Sequence, residues 1–223
     1  MASSSESLAG RHAVVTGGTR GIGGAIVETL RAAGCDVIPV ARSTTAGFAG
    51  DITRQEDVER LVEKYDPDIL VNAAGAFDLA PVSETSPVAF DTMLATNLRG
   101  PFLLIRALLP RMLARGSGYI VSIGSIAGRR GFPGNAAYSA SKFGLRGLHA
   151  VLDTELKGTG VRATLVEPAA TDTPLWNAID RQQNPGLPEP EAMLHPQAVA
   201  DAVLYVLTRP EETHINYLGL ERS

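Results

Sequence analysis

The chain has 223 residues, 44% of them hydrophobic and 20% charged, with a formal net charge of −4; this is the composition of a globular protein long enough to bury one substantial core. An acidic balance without a run of Lys or Arg excludes a nucleic-acid footprint, and the most apolar stretch, 101–113, is interrupted by Arg106, Pro110 and Arg111, so no membrane span is expected. The single cysteine, Cys35, cannot form an internal disulfide, which fits a reducing, cytoplasmic setting and makes Cys35 a small buried apolar residue.

Residues 1–10 lack a basic and apolar leader pattern and read as a flexible polar lead. Residues 11–223 follow as one domain. Short runs rich in Val, Ile and Leu stand at 12–16, 36–41, 68–72, 118–124 and 161–167, apolar on consecutive positions as strands covered on both faces must be. Segments of helical period separate them at 22–33, 54–65, 87–114 and 138–157, with a further helix at 196–208 and a last strand within 214–220. This alternation predicts an α/β fold: a doubly wound parallel sheet of the Rossmann type. Only six residues, 42–47, connect the second strand to a third near Phe48. That crossover is too short to hold a helix, so one sheet face there is expected to be thinly covered or capped by a partner.

Local chemistry marks the boundaries. Gly34 is a left-handed helix stop, Thr53-Arg-Gln-Glu56 is a capping box, and Pro196 suits a first helical position. Residues 171–195, with Pro174, Pro185, Pro188 and Pro190, form the longest stretch without periodicity, a length that usually marks a substrate lid. Trp176, the only tryptophan, lies within it; it either closes over an apolar substrate or pins the loop.

Thr16-Gly-Gly-Thr-Arg-Gly-Ile-Gly23 joins the first strand to the first helix. Gly17 supplies a positive φ there, and Gly21 and Gly23 let a pyrophosphate approach the backbone. The helix start then offers free N–H groups and partial positive charge. Gly17, Thr19, Arg20, Gly21, Ile22 and Gly23 are the candidate phosphate contacts. The second strand ends Val40-Ala41-Arg42-Ser43, without the carboxylate that would take a ribose 2′-hydroxyl. Arg42 and Arg20 can instead clamp a 2′-phosphate, which selects NADP(H); the alternative is Arg42 as an ordinary solvated loop residue.

Tyr138-Ser-Ala-Ser-Lys142 places a phenol and an amine one helical turn apart on one face. A free tyrosine titrates near about pH 10, and a fixed positive charge favours its phenolate; a shift of about three units corresponds to roughly 4 kcal/mol.

These blocks, in this order, resemble the short-chain dehydrogenase/reductase family. The Thr-Gly-x-x-x-Gly-x-Gly turn, Val71-Asn-Ala-Ala-Gly75, Asn97, Ser125 standing 13 residues before Tyr138, the Tyr-x-x-x-Lys pair and Pro168-Ala-Ala-Thr-Asp-Thr173 all match its pattern over about residues 10–208. The resemblance implies hydride transfer between NADP(H) and a small or medium carbonyl or alcohol compound, with Tyr138 as general acid or base. It implies that Lys142 lowers the phenol's pKa and binds the nicotinamide ribose, that Ser125 holds the substrate oxygen, and that Asn97 anchors a water of the proton relay. Asp51 and Ile52 then lie beside the adenine, Asn72, Ala73, Ala74 and Gly75 on its other side, and Pro168, Ala169, Thr171 and Thr173 against the nicotinamide. It also implies a homo-oligomer, dimer or tetramer, through the helices at 101–114 and 138–157.

The chain departs from that pattern at Ala73 (a second asparagine in the family), at Ala169 (a glycine) and in a C-terminal segment without the glycine-rich tail of many members. At Ala169 a positive φ would cost about 1 kcal/mol or more. His149 and Glu155 read as packing or interface residues. His12, His195 and His214 have no metal-ligand spacing, so no metal is expected. A competing reading is a redox-silent NADP(H)-binding sensor or scaffold. A third, nucleotide-sugar epimerisation or dehydration, is at odds with the lack of room for a C-terminal substrate domain.

Overall fold

The structure is a computed structural model that describes residues 7–182, 184 and 186–223. Met1 to Glu6 of the polar lead, and Gln183 and Pro185 of the expected lid, lie outside the described residues. Seven strands pair in parallel in the order β3-β2-β1-β4-β5-β6-β7: β1 (His12–Thr16), β2 (Asp36–Ala41), β3 (Phe48–Ala49), β4 (Ile69–Asn72), β5 (Gly118–Ile123), β6 (Val161–Pro168) and β7 (Tyr217–Leu220). The order reverses between β1 and β4, and the crevice beyond their C-terminal ends is where such sheets bind ligands. This is the doubly wound Rossmann-type sheet that the alternation predicts.

Consecutive strand residues point to opposite faces, and both faces are covered. Ala13, Val15, Val37, Val71 and Val121 pack with Ile26 and Leu30 of α1 (Gly21–Ala32) and Val199 and Val203 of α6 (Pro196–Leu207). Val14, Val40, Leu70 and Ile120 pack on the other face with Leu61 of α2 (Gln55–Lys64), Leu104 and Leu108 of α4 (Gly100–Arg115) and Leu152 of α5 (Ala136–Glu155). At about 25 cal/mol per Å² of apolar surface withdrawn from water, these two layers supply the main driving force of folding.

Three local features differ from, or sharpen, the sequence reading. The helix expected over 87–114 is continuous but widened in its middle: α3 (Pro87–Leu94) runs through a π-turn at Ala95–Arg99 into α4. Pro101 has no N–H to give the carbonyl four residues back, that of Asn97, so the backbone widens there, as π-turns do at functional sites. The capping box does not form. The Asp51 carboxylate takes both the amide (2.9 Å) and the hydroxyl (2.8 Å) of Thr53, leaving α2 to start after Arg54 without a side-chain cap. The stop at Gly34 does form, with φ +85° and Cys35 N–H bonded to Leu30 O at 3.0 Å.

The short crossover closes because two small or ring-locked residues meet. β2 bonds to β1 through its even-numbered residues, with Asp36 N–H on Arg11 O and Gly17 N–H on Val40 O. Pro39 therefore turns its missing N–H toward β3, which begins one residue further along, opposite Val40. Gly47 lies flat on Pro39: a Cβ there would sit 2.0 Å from the Pro39 carbonyl oxygen. Gly47→Ala forces the crossover off this surface, an overpacking cost of about 1–3 kcal/mol. In a chain of this length that lowers Tm by roughly 2–4 °C per kcal/mol, measurable by thermal unfolding; an unchanged Tm would mean that the crossover is not held here.

Candidate active site

The C-terminal ends of β1, β4, β5 and β6 bring the sequence-predicted residues to one edge of the sheet. Gly17 has φ +65°, and an added Cβ would stand 2.8 Å from Ala74 Cα, so the turn after β1 and the segment after β4 touch through backbone. Thr16, which sequence reasoning did not single out, clamps them together. Its buried hydroxyl oxygen accepts the amides of Ala73 (3.0 Å) and Ala74 (3.1 Å). Asn72, next along β4, donates to Ser122 Oγ at 3.5 Å, and Gly75 passes beside Asn97.

Gly21 (φ +55°) starts α1, and its absent Cβ leaves room for Thr173, whose Cβ would otherwise lie 3.3 Å away. Ile22 follows within that first turn and Gly23 packs on Gly17 O. Arg20 caps this helix without a side-chain bond, and the first turn carries no acid, so Thr19 and Arg20 lead into unsatisfied N–H groups at a positive helix end. Among the described residues neither the Arg20 nor the Arg42 side chain has a hydrogen-bond or ion-pair partner. Asp51 is occupied by Thr53 on one oxygen, and Ile52, 8% exposed, fills the space left by Gly100. The uncapped helix end and the glycines without room for a Cβ fit the phosphates of a dinucleotide.

Ser125 closes the strand–turn junction after β5, and its oxygen accepts the Ala127 amide at 3.1 Å. Tyr138 lies on the first turn of α5, near enough to Ser125 for the hydroxyl to favour its phenolate. Lys142, one turn on and only 5% exposed, donates to Ile123 O at 2.9 Å and holds its ammonium 5.5 Å from the centre of the Tyr138 ring. The chain thus brings Ser125, Tyr138 and Lys142 together. Asn97, 1% exposed in the π-turn, bonds Ala76 O and Ser141 Oγ through Nδ2 (both 2.9 Å) and accepts the Ala76 amide on Oδ1 at 2.8 Å. Its side chain is spent on fixing the Gly75–Ala76 backbone and α5.

Burial pushes the Tyr138 phenol up to about 12, the Ser125 hydroxyl pulling the other way. The same burial pulls Lys142 down to about 8, opposed by the charge of Glu167. The depressed phenol expected from the sequence is therefore not a property of the chain by itself: burial raises it and the Ser125 hydroxyl offsets only part of the rise.

Pro168 ends β6, and the Ala169 amide continues the sheet by donating to Leu220 O at 2.8 Å. No described non-glycine residue has a positive φ, so the strain anticipated at Ala169 does not arise. Thr171 Oγ1 donates to Ala169 O, and Leu194 pairs with both Ala170 and Asp172, joining the two ends of the 171–195 segment. Trp176 pins the loop, one of the two roles the sequence left open. Its indole N–H bonds Thr171 O at 3.0 Å, and its ring meets Phe77 edge-on at 4.9 Å, which in turn meets Tyr138 at 4.9 Å. Phe77 was not foreseen; an aromatic two residues past Gly75 was its only signal.

The remaining candidates lie elsewhere. His149 is buried in α5, its ring pushed down to about 4 by desolvation, and Glu155 is exposed at the helix end. Cys35 is buried, its thiol pushed up to about 11. Among the described residues no group of three or more His, Cys, Asp or Glu could hold a metal ion.

Comparison with known proteins agrees with this geometry. A sequence profile of the family described as short chain dehydrogenase matches residues 11–184. An uncharacterized oxidoreductase of Staphylococcus saprophyticus is 34% identical, the match covering 94% of this chain and 96% of the relative. Among solved structures, a metagenomic short-chain oxidoreductase in complex with NADP superposes with a TM-score of 0.82 at 30% identity, over 98% of this chain and all of the other. The closed form of a serine dehydrogenase complexed with NADP+ superposes with a TM-score of 0.84 at 30% identity, over 94% of each chain.

The Thr16 clamp is open to a direct check. Thr16→Val keeps the shape but strands two partly buried amides, a loss of about 1–3 kcal/mol per orphaned group. Chemical denaturation should show it, and an unaltered midpoint would remove Thr16 from the account.

Proposed function

Because the chain belongs to the short-chain dehydrogenase/reductase family, whose members are NAD(P)-dependent oxidoreductases, we propose that it is an NADP(H)-dependent reductase of small or medium carbonyl compounds, the reverse reaction oxidising the alcohol. One observation carries the reading: the buried Lys142 ammonium lies 5.5 Å from the centre of the Tyr138 ring, at the sheet edge where the glycine turn lies.

The unpaired guanidinium groups of Arg20 and Arg42 favour the 2′-phosphorylated cofactor, as do the NADP-bound neighbours. Gly17, Thr19, Arg20, Gly21, Ile22 and Gly23 hold its phosphates, Arg42 its 2′-phosphate, Asp51, Ile52, Asn72, Ala73, Ala74 and Gly75 the adenine side, and Pro168, Ala169, Thr171 and Thr173 the nicotinamide side. The bound cofactor supplies the hydride. Ser125 orients the carbonyl oxygen by a hydrogen bond. Tyr138, a phenol that burial keeps protonated at neutral pH, donates its proton from Oη to the alkoxide oxygen as charge develops there. Lys142 then faces a phenolate and stabilises it, and the proton is replaced through a water held at the Asn97 main chain, the side chain being committed to Ala76 and Ser141.

The segment 171–195 acts as a lid, with Trp176 and Phe77 as an apolar wall beside the phenol. Exposed apolar side chains on α4 (Phe102, Leu113) and α5 (Phe143, Val151) support a homo-oligomer built on these two helices. No described helix is long and apolar enough to cross a membrane, and the cytoplasm is the proposed location.

The test is NADPH oxidation with a panel of ketones and aldehydes. The wild-type chain should turn over faster with NADPH than with NADH. Tyr138→Phe should lower kcat by about 10²–10⁴-fold while NADPH affinity, read by fluorescence, stays close to wild type. Binding without turnover by the wild-type chain would favour a redox-silent binding protein, and loss of NADPH binding in Tyr138→Phe would remove Tyr138 from its assigned role.

A further inference from the structure

Glu167 stands just before Pro168 on β6, with a side chain only 1% exposed. Its Oε2 accepts from Arg146 Nη1 at 2.6 Å and faces Arg129 Nε at 3.7 Å. Arg146 lies on α5 one turn beyond Lys142 and two beyond Tyr138. Arg129 ends the short turn that begins at Ser125. Arg129 also reaches Glu221 at 2.9 Å, and the Arg146 guanidinium lies 5.1 Å from the centre of the Tyr217 ring, so the C-terminal strand closes the cluster.

The surrounding backbone is cut away to admit this carboxylate. A Cβ on Gly124 would lie 2.8 Å from Glu167 Cγ; one on Gly128 would lie 3.2 Å from Oε1 and 2.9 Å from the Lys142 carbonyl. The second oxygen, Oε1, is buried without a hydrogen-bond partner. A desolvated carboxylate with an unmatched oxygen gives less stability than an apolar side chain of the same size, so packing alone does not account for a glutamate here.

We propose, on the basis of the reductase reading, that Glu167 is a positioning residue of the proton-transfer set: gripped by Arg146 and Arg129, its carboxylate locks α5 against the Ser125 turn and keeps a negative charge behind Lys142. The charged and titratable groups around it are Lys142 and Arg146 from α5, Arg129 from the turn, and Tyr217 and Glu221 from the C-terminal segment. Burial draws Lys142 down to about 8 and Glu167 opposes that pull. Without the carboxylate the amine is neutral over more of the pH range, and the phenolate left by proton donation loses its counter-charge. The partners are 21 and 38 residues away in sequence, so no local pattern announces them.

The test compares Glu167→Gln, which keeps the shape, and Glu167→Asp, which keeps the charge, in two measurements. The first follows the Lys142 amine by NMR titration of the free protein and needs no turnover. Its midpoint should fall by about one unit or more in Glu167→Gln and stay near wild type in Glu167→Asp. The second is steady-state reduction with NADPH. In Glu167→Gln kcat should drop by about tenfold or more with KM for NADPH little changed, and Glu167→Asp should recover part of the loss. An unmoved Lys142 midpoint together with unchanged kcat overturns the proposal. Should Glu167→Gln fail to fold, Arg129→Gln, at a partly exposed position, should lower kcat without raising KM for NADPH; no effect there also overturns it. A wild-type chain inactive on every carbonyl defeats the reductase reading instead, while the Lys142 titration still decides the electrostatic role of Glu167.

Discussion

A primary amine that donates to the Ile123 carbonyl sits in a nearly water-free position beside a phenol. The low dielectric there makes each charge costly by itself and each pairing strong. That one constraint explains both directions of shift: the phenol resists losing its proton and the amine resists keeping its own. A cationic ring placed against the pair, as an oxidised nicotinamide would be, favours phenolate for the same electrostatic reason. On the proposed reading the chain by itself holds an acid, and a bound oxidised cofactor would convert it toward a base.

The rest of the fold serves to hold that pair still. Parallel strands end on one side, so β1, β4, β5 and β6 deliver the glycine turn, the Asn72 segment, Ser125 and the Pro168 segment to a common edge. Side-chain bonds and an ion pair then tie neighbouring loops: Thr16 joins the first two, Asn97 joins the second to α5, and Glu167 joins β6 to α5 and, through Arg129, to the Ser125 turn. Each tie is a buried polar group with a named partner, and such groups specify one arrangement where apolar packing tolerates several.

How much of this was legible in the sequence follows from how local each cause is. The glycine at 17, the stop at Gly34 and the i, i+4 spacing of Tyr138 and Lys142 depend on neighbours a few residues away, and the structure has the backbone that each requires. The capping box failed because Asp51, two residues upstream, competes for the same Thr53 groups. The π-turn at Asn97 was signalled by Pro101 but hidden by the continuous helical period around it. Ala169 was suspected of strain only because relatives carry glycine, and its own extended-sheet hydrogen bond to Leu220 shows why alanine is accepted. Thr16, Phe77 and Glu167 escaped notice because their partners lie on other strands and helices, far away in sequence.

The ultraviolet absorbance of the Tyr138 phenolate, titrated with and without NADP+ and referenced to Tyr138→Phe, tests the central claim most directly. The account predicts a midpoint near 12 in the free protein that falls by about three units once the oxidised cofactor is bound. A midpoint that does not move on binding would contradict it, since the amine, the phenol and the cofactor would then not share one electrostatic site.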